Sequence, residues 1–262
     1  MSDAGSTPSN IVLLNMPNDK LSFDEKSKVT AFVASTSVSE SKAITELKDN
    51  RWRLDEAINS YFSKPANIPK EVNVSSIETL FNKYTDEDDR DKISGENLQR
   101  LCRDLKIESE LLELAFSWKL RAKTLGEVTK TEFKNALICL RADSHDKLRS
   151  EMSKLATVVG NAQSFKEFYC YIFDYGMQPN QRVQSLDMAI GLWEVALTAK
   201  YKDLKHWCEF LRQKNQGVSR DTWNQMLDFV RIVNDDITKY DPEASWPTLI
   251  DEYVEYLSTA KA

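Results

Sequence analysis

The stretch from Asp86 to Asn97 has part of the chemistry of a calcium loop. Such a loop needs oxygen ligands at positions 1, 3 and 5, a glycine at 6 and a bidentate glutamate at 12. Asp86 and Asp88 supply the first two ligands, and Ile93 fills the central apolar position. Arg90 then stands at the third ligand, Asp91 at the glycine and Asn97 at the glutamate. A guanidinium among the ligands repels a cation. The stretch therefore reads as an EF-hand-like helix-loop-helix without a calcium site, and no metal is expected. A second loop of this kind is predicted at Thr124-Leu125-Gly126-Glu127-Val128, with a few residues of the two loops pairing as strands.

Other chemistry is sparse. Cys102, Cys139, Cys170 and Cys208 are far apart and form no CxxC pair, and only His145 and His206 could add imidazole. That spacing argues against zinc. Nucleophilic catalysis needs a base oriented by a third group. His145 lies in the polar run Asp143-Ser144-His145-Asp146, read as a solvated turn, and His206 is read as a half-exposed structural side chain on a helix. The seven glycines are too dispersed for a phosphate-cradling loop. The expectation is no catalytic residue and no cofactor. A net charge of -6 lacks the basic stripe of a nucleic-acid binder. No apolar run approaches the ~20 residues of a membrane span. The start, residues 1–10, lacks a secretory pattern. The location expected is nucleus and cytoplasm.

The elements that must carry these residues are helices. Residues 1–20 read as a flexible tail. Ser22 and Glu25 form a capping box ahead of Val29, Phe32 and Val33. A second short helix carries Ala43, Ile44 and Leu47. A third runs from Trp52 through Leu54, Ala57, Ile58, Tyr61 and Phe62 until Pro65 and Pro69 interrupt it. Further capping boxes are predicted at Ser75–Glu78 and Thr129–Glu132. Beyond them, apolar residues recur at helical spacing: Phe165, Phe168, Tyr169, Ile172 and Phe173; Met188, Leu192 and Val195; Trp223, Met226, Leu227 and Val230; Leu249, Ile250, Tyr253 and Leu257. The fold class is all-α, a small three-helix bundle followed by a larger helical domain with EF-hand-like units.

The run Trp52-Arg53-Leu54-Asp55-Glu56-Ala57-Ile58-Asn59-Ser60-Tyr61-Phe62, with the loop Thr36-Ser37-Val38-Ser39, resembles a ubiquitin-associated (UBA-like) domain. Many such domains carry Met-Gly-Phe or Met-Gly-Tyr in that loop, and this chain does not. Ubiquitin is a candidate partner, and a purely structural three-helix module is the alternative. The rest of the chain resembles the PONY (DCUN1) domain of the defective-in-cullin-neddylation family. The resemblance is carried by Trp118-Lys119-Leu120-Arg121-Ala122, Phe165-Lys166-Glu167-Phe168-Tyr169, Leu186-Asp187-Met188-Ala189-Ile190 with Trp193, Asp221-Thr222-Trp223-Asn224 with Leu227-Asp228-Phe229, and Trp246-Pro247-Thr248-Leu249-Ile250-Asp251. The division expected is a tail at 1–20, a UBA-like domain at 21–64, a linker at 65–74 and a PONY domain at 75–258.

The resemblance implies a non-enzymatic scaffold for cullin neddylation. It would hold the C-terminal region of a cullin and the acetylated N-terminus of the neddylation conjugating enzyme, with the cullin-bound RING protein in the same complex. It implies a cullin-binding patch at Asp221, Ser245 and Asp251, where serine stands in place of the family alanine, its hydroxyl expected as a helix N-cap before Trp246 and Pro247. It also implies an apolar pocket for the acetylated methionine, walled by Leu98, Cys102, Leu114, Phe116, Leu120, Phe133, Tyr175, Leu192 and Val195. A ubiquitin-binding adaptor without ligase-stimulating activity is the competing class, and a calcium sensor the third.

Overall fold

A computed structural model describes residues 21–233 and 236–260; the expected tail at 1–20 lies outside them. The chain divides into two compact units, with the boundary after Asn67. The all-α expectation is met.

In the first unit, α1 (Phe23–Thr36), α2 (Glu40–Asp49) and α3 (Leu54–Phe62) form the bundle. Ser22 and Glu25 make the predicted capping box, each side chain satisfying the other's backbone N–H. Val29, Phe32, Leu47, Ala57 and Ile58 are buried between the helices. Ring edges of Tyr61 meet Phe32 at 5.7 Å and Phe62 at 5.3 Å. The third helix starts two residues later than predicted. Arg51 and Trp52 both take left-handed φ, +54° and +58°, so Trp52 belongs to the turn that reverses the chain. Helical spacing cannot report such a reversal.

The second unit opens with two helix-loop-helix pairs. They are α4 (Val74–Asn82) with α5 (Gly95–Asp104), and α6 (Glu110–Leu120) with α7 (Lys130–Leu140). Their loops pair as antiparallel strands, β1 (Lys92–Ser94) against β2 (Glu127–Thr129), with Ile93 opposite Val128. Both apolar residues are fully buried, which explains the apolar position of the loop pattern. The Thr129–Glu132 capping box forms. The one predicted at Ser75 does not: Asn73 caps α4 instead, accepting from the Ser76 N–H, and Ser75 lies inside the helix.

The remainder comprises α8 (His145–Met152), α9 (Leu155–Gly160), α10 (Ala162–Tyr175), α11 (Leu186–Leu197), α12 (Leu204–Lys214), α13 (Arg220–Val233) and α14 (Thr248–Ala260). His145 is the first residue of α8, behind the Ser144 cap, rather than part of a solvated turn. An unforeseen second strand pair, β3 (Val183–Gln184) with β4 (Val218–Ser219), ties the segment before α11 to the one before α13. At two residues each, such strands leave no alternating pattern to detect.

The core centres on the aromatic residues of the quoted segments. Trp193, Trp207 and Trp223 are fully buried. Trp223 stacks on Trp193 and on Tyr169, each at 4.7 Å. The Tyr169 hydroxyl donates to the Trp223 carbonyl (2.9 Å) and accepts from Trp193 Nε1 (2.6 Å). Trp223 Nε1 donates back to the Tyr169 carbonyl at 2.9 Å. The Tyr169 hydroxyl and the Trp193 and Trp223 indole N–H groups are thus all engaged within the hub, as burial requires. Truncating such a tryptophan to alanine typically costs ~3–5 kcal/mol.

Candidate partner-binding site

Asp251 lies in the first turn of α14 and is half-buried. The preceding segment folds over it. After α13 a 3-10 turn at Ile237–Lys239 delivers Tyr240, whose hydroxyl donates to Asp251 Oδ1. The Tyr240 ring stacks on Trp246, centroids 5.9 Å apart and planes 27° from parallel. Trp246 is held in turn by its Nε1, which donates to the Asp241 carbonyl at 3.0 Å. Phe229 of α13, fully buried, meets Trp246 edge-on at 6.0 Å and Tyr240 at 6.3 Å. Ser245 is exposed next to Trp246. It does not cap α14: the helix opens at Thr248, and the N–H of Asp251 donates to the Pro247 carbonyl. The serine hydroxyl precedes the helix start by too many residues to reach its first N–H groups.

Asp221 is exposed in the first turn of α13, with Gln225 Nε2 donating to its carboxylate at 3.4 Å. It stands eight residues before Phe229, about 12 Å along the axis at 1.5 Å per residue. The structure therefore joins Ser245 and Asp251 through Trp246 and Tyr240, and carries Asp221 at the far end of α13. Nearby, Lys214 of α12 pairs with Glu252 at 2.9 Å. Burial, hydrogen bonding to Asp251 and the charges of Asp251, Asp241 and Glu255 all push the Tyr240 phenol upward. The face around Tyr240 is thus acidic.

The residues assigned to the apolar pocket fall into two groups. Cys102, Phe116, Leu120, Phe133, Tyr175 and Leu192 are buried, while Leu98, Leu114 and Val195 are half-exposed. Phe133 is an interior residue of the helix-loop-helix pair, 5.4 Å from Phe81. The Tyr175 hydroxyl joins elements: it accepts from the Gly126 N–H at 2.9 Å and donates to Ser117 Oγ at 3.2 Å. Leu192 lies against Gly176, where an added Cβ would come within 2.8 Å of it.

Gln184 was not foreseen as a special position. It is 1% exposed, and among the described residues neither its amide nitrogen nor its oxygen has a hydrogen-bond partner. It too borders Gly176, whose missing side chain leaves room for the amide.

Cys102 and Cys208 are buried, and Cys139 and Cys170 half-buried. Burial pushes Cys102 up to about 12 and Cys208 up to about 11, and it also raises Cys170. In the calcium-like loop, Asp86 is already occupied. Its carboxylate accepts from the Ser94 N–H (3.0 Å), the Ser94 hydroxyl and Asn97 Nδ2 (3.1 Å). Burial raises the Asp86 carboxyl, but these hydrogen bonds and the Lys92 charge outweigh it and hold the group below the usual carboxylate range. Arg90 turns to the Thr85 hydroxyl at 3.4 Å.

Comparison with known proteins gives two family-model matches, a UBA-like domain over residues 26–67 and a cullin-binding domain over residues 147–256. The chain is 36% identical to DCN1-like protein 3 of Drosophila melanogaster over 71% of its own length and 57% of that protein. It is 29% identical to defective in cullin neddylation protein 1 of Caenorhabditis elegans over 91% of both chains. It is 32% identical to human DCN1-like protein 3, over 71% of its own length and 64% of the relative. The chain belongs to the defective-in-cullin-neddylation family. It spans less than two thirds of the fly and human relatives and nearly all of the worm one. The family's cullin-binding match contains Asp221, Ser245 and Asp251, together with Tyr175, Leu192 and Val195. Leu98, Cys102, Leu114, Phe116, Leu120 and Phe133 precede it.

Tyr240 was missed because its partner is eleven residues away across an irregular segment. The only signal in the sequence is an aromatic residue ahead of Asp241-Pro242, a turn-forming pair.

Proposed function

We propose that this protein is a non-catalytic scaffold promoting cullin neddylation. It would hold a cullin C-terminal region and the acetylated N-terminus of the neddylation conjugating enzyme, so that the thioester meets the acceptor lysine beside the cullin-bound RING protein. The gain is proximity and orientation. The observation that carries this reading is the cullin-binding match enclosing Asp221, Ser245 and Asp251. The relatives' names agree with it. The raised thiol pKa values support a role without a cysteine relay, because a thiol near 12 supplies almost no thiolate at neutral pH.

Residues 221–262 hold nine acidic side chains and three basic ones, enough to steer a basic partner to this end of the chain. Asp221→Lys combined with Asp251→Lys is expected to weaken cullin binding at least roughly thirtyfold, since removing one partner of a desolvated charge pair costs ~2–5 kcal/mol. The decisive assay is reconstituted cullin modification with and without the protein. No stimulation by the wild type, or wild-type cullin binding by a folded double variant, would sink the reading. The UBA-like match over 26–67 favours one second reading, a ubiquitin-binding adaptor. That adaptor would bind ubiquitin and leave the modification rate unchanged.

A further inference from the structure

We infer that Tyr240 is a positioning residue for the cullin-binding surface: its hydroxyl fixes the Asp251 carboxylate so that one oxygen is committed inward and the other is presented outward. The inference rests on the proposal that Asp251 meets the cullin. A lone aspartate on a helix surface samples several rotamers, and a partner that needs one of them must bear that ordering cost on binding. Here the cost is met before the partner arrives. The Tyr240 hydroxyl bonds Asp251 Oδ1 specifically, leaving Oδ2 outside that bond.

The phenol is itself held by two ring contacts, one of them anchored by a further hydrogen bond. Its ring stacks on Trp246. Trp246 is tied through Nε1 to the Asp241 carbonyl, one residue after Tyr240. Phe229 presents its edge to both rings from the buried side of α13. These contacts close a loop, from Tyr240 through Asp241 and Trp246 back to Tyr240. The loop is short enough in sequence that the hydroxyl moves only if the whole 240–246 segment moves. A clamp of two aromatic residues and an indole hydrogen bond is more than a simple turn onto α14 requires. The same clamp carries Ser245, which is exposed beside Trp246. Tyr240 thus places two of the three assigned cullin-facing residues in one rigid frame, although it need not touch the cullin.

The test is a double-mutant cycle with the full chain and a purified cullin C-terminal fragment, read by calorimetry. Tyr240→Phe removes only the hydroxyl and keeps the stacked ring. A hydrogen bond to a charged group predicts roughly a tenfold loss of affinity in the wild-type background. In an Asp251→Asn background the same change is expected to cost less than about twofold, because the carboxylate it orients is gone. A second readout is spectroscopic: the 13Cζ resonance of the Tyr240 phenol should shift in the free protein when Asp251 becomes Asn. Equal losses in both backgrounds would overturn the inference, since they would make Tyr240 a direct contact or a general packing residue. An unchanged affinity for Tyr240→Phe beside a weakened Asp251→Asn would also overturn it, while leaving the cullin-binding proposal in place. If neither single variant loses affinity, both fail. Should Tyr240→Phe disturb the segment, the unshifted Trp246 indole resonance expected of an intact clamp would be lost and the inference rejected.

Discussion

A thiol enclosed by apolar side chains keeps its proton, and Cys102 shows the consequence for stability. Its pKa is raised by burial to about 12, whereas in the unfolded chain a thiol ionises near 8.5. Between those values the folded state holds a proton that the unfolded state has lost. Stability is then fully present below the unfolded pKa and falls as pH rises toward the folded one. The slope is up to ~1.4 kcal/mol per pH unit. Denaturant unfolding between pH 8 and 10.5 should show that fall, and Cys102→Ala should flatten the slope even while lowering stability overall; an unaltered slope would contradict the assignment. Gln184 makes the opposite case. An amide buried with both ends unpaired among the described residues carries a desolvation cost. Gln184→Leu should raise stability by about 1 kcal/mol or more in the same assay, because leucine suits its neighbours Leu192 and Met188. A loss of stability would mean that the amide is in fact satisfied in solution.

Among the elements, the Asp86–Asn97 loop keeps the framework of a calcium site and fills it with protein. Ser94 and Asn97 give their donors to Asp86, and β1 pairs with β2 through Ile93 and Val128. Internal hydrogen bonds do the closing that a metal does elsewhere. A cation would have to displace three donors from Asp86 with Arg90 close by. Titration with calcium by calorimetry should show no site in the micromolar range typical of sensors. A tight stoichiometric site would require the Asp86 network to open. The second pair of short strands, β3 with β4, shows the same economy: two backbone pairings align α11 and α13, whose tryptophans then stack.

At the scale of the whole molecule, two proposed surfaces lie on different parts of the second unit. Asp221, Ser245 and Asp251 belong to α13, α14 and the segment between them, while the pocket residues belong to α5, α6, α7, α10 and α11. The two binding events are therefore expected to be separable. The Asp221→Lys/Asp251→Lys variant should retain the affinity of wild type for an acetylated N-terminal peptide of the conjugating enzyme. The unacetylated peptide should bind at least tenfold more weakly to both proteins, since a free amine brings charge into an apolar wall, and ~1.4 kcal/mol is tenfold. Equal affinity for the two peptides, measured by titration, would remove the pocket from the proposal.

The sequence by itself determined the helical class, most element positions, the capping boxes at Ser22 and Thr129, the paired EF-hand-like loops and the family. Each of these rests on local spacing or on ordered short motifs, which are properties of a one-dimensional string. Trp52 and Ser75 were misplaced by a residue or two because a left-handed turn and a competing Asn73 cap shift a boundary without altering the apolar period. Only the tertiary structure decided which buried residues share a centre: Tyr169, Trp193 and Trp223 meet from three helices. It alone set Tyr240 on Asp251 and left the Gln184 amide without a partner among the described residues. It also showed that Ser245 lies beside the aromatic clamp and does not cap α14. These outcomes depend on which side chain fills which space once distant helices pack, and helical periodicity carries no information about that.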